Sequence, residues 1–285
     1  MADVERVGWV GLGNIGAPMA RRLLDHEGGL VACDVVEAAT APFAEAGAAT
    51  TTDPAEVTAA GATIVSVMVR DDAQVRDVVS ALLPGAAPGT VIAVHSTIAA
   101  ETAEELAAEV AVAGHHLVDA PVSGGAMGAA TGRLAVMAGG EADAVERLRV
   151  PLARIADLVV RFGPAGAGTR AKIARNLVTF ASFAAVAEAQ ALAAAAGLDL
   201  AALGDVVRHS DAVTGGPGSV MIRSATGPLA PDDGLRPIFE HTRSLGEKDL
   251  ALAVAMGEAL DVATPVASSA LDLLAAGLGV PHEED

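Results

Sequence analysis

The sequence predicts an α/β protein, with a doubly wound parallel sheet over residues 1–163 and an all-helical domain over 164–285. Three observations carry this. Short apolar strand signals alternate with helical stretches through the first half, the pattern of a parallel sheet covered on both faces. A glycine-rich turn stands directly after the first strand. Beyond Gly163-Pro-Ala-Gly166-Ala-Gly168, strand signal gives way to long Ala-rich runs.

Composition sets limits. At 285 residues the chain is long enough for two domains. Hydrophobic residues at 52% and charged residues at 19% describe a folded chain. Aromatics are 2%, so the core must rest on Ala, Val, Leu and Ile. The formal net charge of -18 opposes a nucleic-acid partner, whose phosphates it would repel. The single cysteine, Cys33, excludes an internal disulfide and a cysteine-rich zinc site, and fits a reducing compartment. The seven histidines show no metal-ligand spacing, so no metal is expected. The N-terminus has no basic region followed by an apolar one, hence no secretory signal. The most apolar run, Leu177 to Ala187, has 11 residues before Glu188, where a membrane span needs ~20. The expectation is a soluble cytoplasmic protein with no membrane partner.

In chain order, Val7–Val10 reads as a strand, followed by Gly11-Leu12-Gly13-Asn14-Ile15-Gly16 and a helical stretch from Ala17 to Leu24. This is GxGxxG between a strand and a helix, the dinucleotide fingerprint of a Rossmann fold. Gly11 allows the tight turn, Gly13 lets backbone approach a pyrophosphate, and Gly16 lets helix and strand pack. A second strand, Leu30–Cys33, ends at Asp34, 18 residues after Gly16. A carboxylate there accepts from a ribose 2′-OH and repels a 2′-phosphate, so NAD is preferred over NADP.

The alternation continues. Phe43–Gly47 ends a helix, and Asp53-Pro54 opens another over 54–60. Thr63–Val69 is a strand, 71–79 a helix, Thr90–Val94 a strand followed by His95-Ser96-Thr97, Thr102–Val112 a helix and His116–Asp119 a strand. Ligands of such sheets bind beyond the carboxyl strand ends. Val69, Thr97 and Asp119 are therefore expected along one crevice, with Met68 and Val69 among the cofactor contacts. In Ser123-Gly124-Gly125 the backbone N–H groups could form an anion nest for a carboxylate. Alternatively the stretch is a plain turn before an antiparallel strand, 134–138.

Past the glycines, Lys172 and Asn176 stand four apart and share one face of a helix. They are either a reactive pair or a solvated face. The helix should run from Thr169 to Ala196, ended by Gly197. Helices follow at 199–207, 241–260 and from Thr264-Pro265 to about 277, with loops at 211–219 and 228–237 and a frayed tail at 281–285. Their largely apolar circumference suggests burial against a partner subunit. His241 and Arg243 are either a basic rim for a polar substrate tail or surface residues paired with Glu240, Glu247 and Asp249.

Four ordered blocks form a recognisable pattern: Gly8 to Ala20 around the fingerprint, Asp119-Ala-Pro-Val-Ser-Gly-Gly125, Gly166-Ala-Gly168-Thr-Arg-Ala-Lys172 with Asn176, and Lys248-Asp249-Leu250. Over nearly its whole length the chain resembles the β-hydroxyacid dehydrogenase family, which includes 3-hydroxyisobutyrate dehydrogenases and tartronate semialdehyde reductases. The resemblance implies hydride transfer between nicotinamide and a small 3-hydroxy acid or its semialdehyde. It implies Lys172 as general acid/base, Ser123 and Gly124 at the substrate carboxylate (with Gly125 from the nest reading), and Asn176 orienting the substrate. Thr97 and Lys248 become cofactor contacts, and a homodimer or homotetramer is expected. A dry cleft and Lys248 as a second cation would lower the pKa of Lys172. The chain departs from the family pattern at Arg175, where a second amide is common, at His241, where an aromatic is common, and after Val69, where many members have a proline. An imine reductase shares the architecture but usually carries Asp or Tyr in place of Lys172. A non-catalytic dinucleotide sensor is the remaining alternative.

Overall fold

A computed structural model describes residues 4–282. The chain divides into two compact units between Arg175 and Asn176.

The first unit is a sheet with helices on both faces. Its elements are β1 (Val7–Val10), α1 (Gly16–Arg21), β2 (Leu30–Cys33), α2 (Glu37–Glu45), β3 (Ala49–Thr51), α3 (Pro54–Ala59), β4 (Ile64–Val67), α4 (Asp72–Leu82), β5 (Val91–Val94), α5 (Ala100–Val112) and β6 (His116–Asp119). Then come β7 (Val122–Ser123), α6 (Gly125–Thr131), β8 (Leu134–Gly139), α7 (Ala142–Arg147), α8 (Arg149–Ile155), β9 (Ala156–Gly163) and the start of α9 (Ala167–Ala195). The strand order is β3-β2-β1-β4-β5-β6-β8-β7, with β9 on β8. Its first six strands are parallel, and β8 runs antiparallel to β6 and β7. Order reverses at β1, so the β1–β4 boundary is a topological switch point, where a crevice opens beyond the strand ends.

Burial explains why these segments are strands. β1, β2, β4 and β5 are buried along their whole length. Along β1, Val7 and Trp9 join the core with Met19, Leu23 and Phe43, while Val10 joins the opposite one with Val75, Leu82 and Leu106. Local capping agrees. Asp53 accepts from the Ala55 N–H at 2.9 Å and Asp71 from the Gln74 N–H at 3.0 Å, each cap worth ~1 kcal/mol.

Some expectations are corrected. The glycine turn after Ser123 continues into a short helix, α6. Residues 142–163, left without elements, hold α7, α8 and β9. β9 pairs in parallel with β8 and exposes Leu158, Val159, Val160 and Phe162, so it lacks the continuous burial that marks the inner strands. The small edge strand β3 was missed for the same reason.

The second unit holds the rest of α9, then α10 (Leu200–Thr214), α11 (Arg236–Leu260) and α12 (Pro265–Leu278). α10 continues past the expected Val207. α11 begins inside the expected 228–237 loop, because Pro237 sits in its first turn, where no N–H is needed. Phe239, Leu278 and Val280 form a small core with Leu229, Leu235 and Leu274 against it. Glu188 of α9 accepts from the Val266 and Ala267 N–H groups, both at 2.8 Å, and so caps α12. By length and composition α9 could cross a membrane, although the 11-residue run alone is too short. His282 of the tail is not loose: its Nδ1 lies 2.8 Å from Glu247 Oε1. Residues 283–285 of that tail lie outside the described residues.

Candidate active site

A cleft of about 790 Å3 opens where β1 and β4 end. Gly11, Gly13, Asn14, Ile15 and Gly16 line it, as do Asp34, Met68 and Val69. The three fingerprint glycines are not equivalent. Gly11 has φ +97°, and a Cβ there would collide with the Met68 carbonyl; a Cβ on Gly16 would collide with the Gly11 carbonyl. Around a Cβ on Gly13 nothing stands within 4 Å. Gly11 and Gly16 are demanded by packing, and Gly13 leaves bare backbone facing open space, which suits the approach of a pyrophosphate. The donor set therefore fits a dinucleotide.

Asp34 stands at the end of β2. Its Oδ2 accepts from the Leu12 N–H at 2.7 Å and its Oδ1 from the Val36 N–H at 2.9 Å. Two fixed donors orient this carboxylate on the cleft wall. Leu12, expected among the cofactor contacts, instead has its side chain buried in the core; its backbone serves the site by holding Asp34. Cys33 also lines the cleft, but burial pushes its thiol up to about 12, so it is inert.

Among the wall residues that the sequence did not single out, three are polar: Arg70, Gln74 and Asp77. Gln74 Oε1 accepts from the Arg70 N–H at 3.1 Å. The position of Arg70 and α4 directly after β4 was the available signal, since strand ends face the ligand.

The expected crevice trio is split. Val69 lines the cleft, and its N–H and carbonyl are both bonded to the Ser96 hydroxyl. Thr97 is exposed but is not among the residues lining the cleft. Asp119 is fully buried and is not among the residues lining the cleft. Its Oδ1 accepts from the Gly166 N–H at 2.8 Å and its Oδ2 from the Thr169 N–H at 2.6 Å. It is a cap for the first turn of α9, in the place where a helix favours negative charge. Burial raises its pKa, while these donors work in the opposite direction.

One turn along α9 is Lys172, only 9% exposed. Its Nζ donates to the Val122 carbonyl at 2.6 Å. Burial, and then the charge of Arg175, lowers its pKa. Arg175 thus acts on this amine as a cation, a part expected also of Lys248, which lies in the second unit. Val122 leads directly into Ser123, which is half-buried, and into Gly124 and Gly125, which are exposed with φ +132° and +63°. The structure therefore brings Lys172 to the Ser123–Gly125 segment.

Asn176 follows Lys172 by four residues on α9 and opens the second unit. Lys248 lies on α11, exposed, with its Nζ 2.7 Å from Asp249. His241 is exposed, whereas Arg243 is buried, 3.6 Å from Glu247. Burial thus departs from the surface reading of Arg243, while its expected pairing with Glu247 is present. Among the described residues no group of three His, Cys, Asp or Glu could hold a metal.

Two family models cover the chain: the NAD binding domain of 6-phosphogluconate dehydrogenase over residues 6–163, and the NAD-binding domain of NADP-dependent 3-hydroxyisobutyrate dehydrogenase over 166–284. An uncharacterized oxidoreductase of Mycobacterium tuberculosis is 55% identical, over 99% of this chain and 96% of its own length. An NAD-dependent L-serine dehydrogenase of Pseudomonas aeruginosa is 33% identical, over 95% of this chain and 91% of its own. The crystal structure of a putative oxidoreductase from Mycobacterium avium superposes with a TM-score of 0.93 at 52% identity, covering 97% of this chain and 99% of that one. With a dinucleotide-type cleft in a Rossmann sheet, a helical unit that follows in the sequence and these matches along its length, the chain belongs to the β-hydroxyacid dehydrogenase family of NAD(P)-dependent oxidoreductases acting on CH–OH groups.

Proposed function

We propose that the chain is an NAD-dependent dehydrogenase of small 3-hydroxy carboxylates, working as a soluble homo-oligomer of the reducing cytoplasm. The observation that carries this reading is the buried Lys172 amine, held at 2.6 Å from the carbonyl that precedes Ser123-Gly124-Gly125. A proton-transfer group and an anion-binding backbone are thereby adjacent. A bound nicotinamide would supply the hydride acceptor in oxidation and the hydride in reduction. The exposed amides at Ser123–Gly125 hold the substrate carboxylate, and Asn176 orients the rest of the substrate. In oxidation the substrate's hydroxyl proton would pass to the neutral Nζ of Lys172, and in reduction the same Nζ would return it. A lowered pKa suits this role, because a base must be neutral to accept the proton.

Asp34 supports NAD over NADP, since its carboxylate would meet a 2′-phosphate with like charge. Thr97 and Lys248 remain assigned to the cofactor through the family pattern alone. L-serine, named in one relative, is a 3-hydroxy carboxylate and heads the substrates to screen. Self-association is supported by exposed apolar side chains such as Phe180 and Phe183 on α9 and Val206 and Val213 on α10. The decisive experiment follows reduced-cofactor absorbance with NAD and NADP in parallel across 2- and 3-hydroxy acids and semialdehydes. Turnover of 3-hydroxy acids with NAD is expected. Preference for NADP refutes the Asp34 reading, and cofactor binding without any turnover refutes the enzyme.

A further inference from the structure

We propose that His95 is a positioning residue that holds the substrate-carboxylate segment in register with the cofactor cleft. The proposal rests on the reading of Ser123–Gly125 as the carboxylate site. His95 follows β5 directly and is 1% exposed. Its Nδ1 lies 2.8 Å from the Ala120 carbonyl and its Nε2 lies 3.1 Å from the Ser66 hydroxyl. A carbonyl only accepts, so Nδ1 carries the proton; Nε2 then accepts from the serine. The ring stacks on Trp9, centroids 5.4 Å apart and planes 13° from parallel. Trp9 in turn donates from Nε1 to the Gly11 carbonyl at 3.0 Å.

One imidazole thus touches three neighbours that matter to the site. Through Trp9 it reaches the fingerprint turn at Gly11. Through Ser66 it reaches β4, two residues before Met68. Through Ala120 it reaches the stretch that runs by Val122, the Lys172 partner, to Ser123. An apolar side chain would fill the same space without needing two polar partners, whereas a buried imidazole missing either partner would cost ~1–3 kcal/mol. Both partners are present. Burial also keeps the ring neutral, with its pKa down to about 4. Its neighbour Ser96 clamps Val69 from the same loop, so the dipeptide fastens the cleft floor on two sides.

The test uses the intact protein and three variants. His95→Asn keeps an N–H near the Nδ1 position and so can still donate to Ala120. His95→Leu loses both bonds. His95→Gln keeps a polar group but loses the donor at Ala120, and it replaces the leucine variant if that one does not fold. NADH affinity is read by energy transfer from Trp9, the single tryptophan. Carboxylate affinity is read with propionate, by its effect on bound NADH fluorescence, alongside KM and kcat for the hydroxy acid turned over. In His95→Leu or His95→Gln the propionate Kd and the KM are expected to rise about tenfold, as loss of a hydrogen bond implies. NADH affinity and kcat should change much less, and His95→Asn should recover most of the loss. Unchanged propionate Kd and KM in His95→Leu and His95→Gln overturn the proposal. Equal loss in His95→Asn also overturns it, because that outcome describes packing alone. A wild-type protein that binds NADH but not propionate overturns the carboxylate reading and this role with it. One that binds both, with His95→Leu indistinguishable, overturns only the role of His95.

Discussion

The two units solve the problem of burial differently. The first encloses Trp9, Phe43, Leu82 and Leu106 between a sheet and its helices. The second closes a small core on Phe239, Leu278 and Val280, while α10 has no buried residue. The first can hold a cofactor cleft and a dry amine because its interior is complete. The second leaves Phe180, Phe183, Val206 and Val213 in water, and contact with another copy is the economical way to remove that surface. Chemistry is thus expected to depend on the first unit and assembly on the second.

The sharpest break falls on the first unit. Lys172→Ala should lower kcat by ~10²–10⁴ and leave NADH affinity nearly unchanged; unchanged turnover removes Lys172 from the mechanism. On the second unit, a Phe180→Asp, Phe183→Asp double variant should weaken self-association by at least about 100-fold, given ~1.5–3 kcal/mol for each buried phenylalanine. Light scattering across a dilution series reads this, and an unchanged mass locates the subunit interface elsewhere. A smaller effect, about tenfold for one lost charged hydrogen bond, is expected in the NAD-to-NADP ratio of kcat/KM for Asp34→Asn. Retention of the ratio would show that Asp34 merely fixes the Leu12 turn. The smallest change is a displacement along the pH axis. On the proposed mechanism oxidation needs neutral Lys172, so its rate is expected to rise with pH through the lysine pKa. Arg175→Asn removes a repelling cation, raises that pKa and shifts the rising limb to higher pH. A profile that stays in place denies the coupling.

Much of the site was readable because its signals are local. Gly11, Gly13, Gly16 and Asp34 lie within one βαβ repeat, and turn, helix and acid are spaced by backbone geometry. Lys172 was readable from its block, and its partner Val122 from neither spacing nor composition, since they are 50 residues apart. Asp119 was misread for a related reason. A strand-end carboxylate usually faces ligand, but here it turns to cap a helix whose first residues come 47 and 50 positions later. β9 escaped because an exposed edge strand has no buried alternation. In the helical half, periodicity located α9, α11 and α12 but ended α10 too early, at Val207 rather than Thr214, and began α11 too late, because a proline is tolerated in its first turn.

The Asp119 cap has a consequence for the order in which the chain assembles. The first turn of α9 is tied to the end of β6 across a segment that holds β7, β8 and β9. Lys172 therefore becomes buried and bonded to Val122 only once that end of the sheet exists. A nascent or partly folded chain presents this lysine to water, as an ordinary protonated amine with no carbonyl to hold it. On the proposed mechanism, turnover would therefore require complete folding of the first unit.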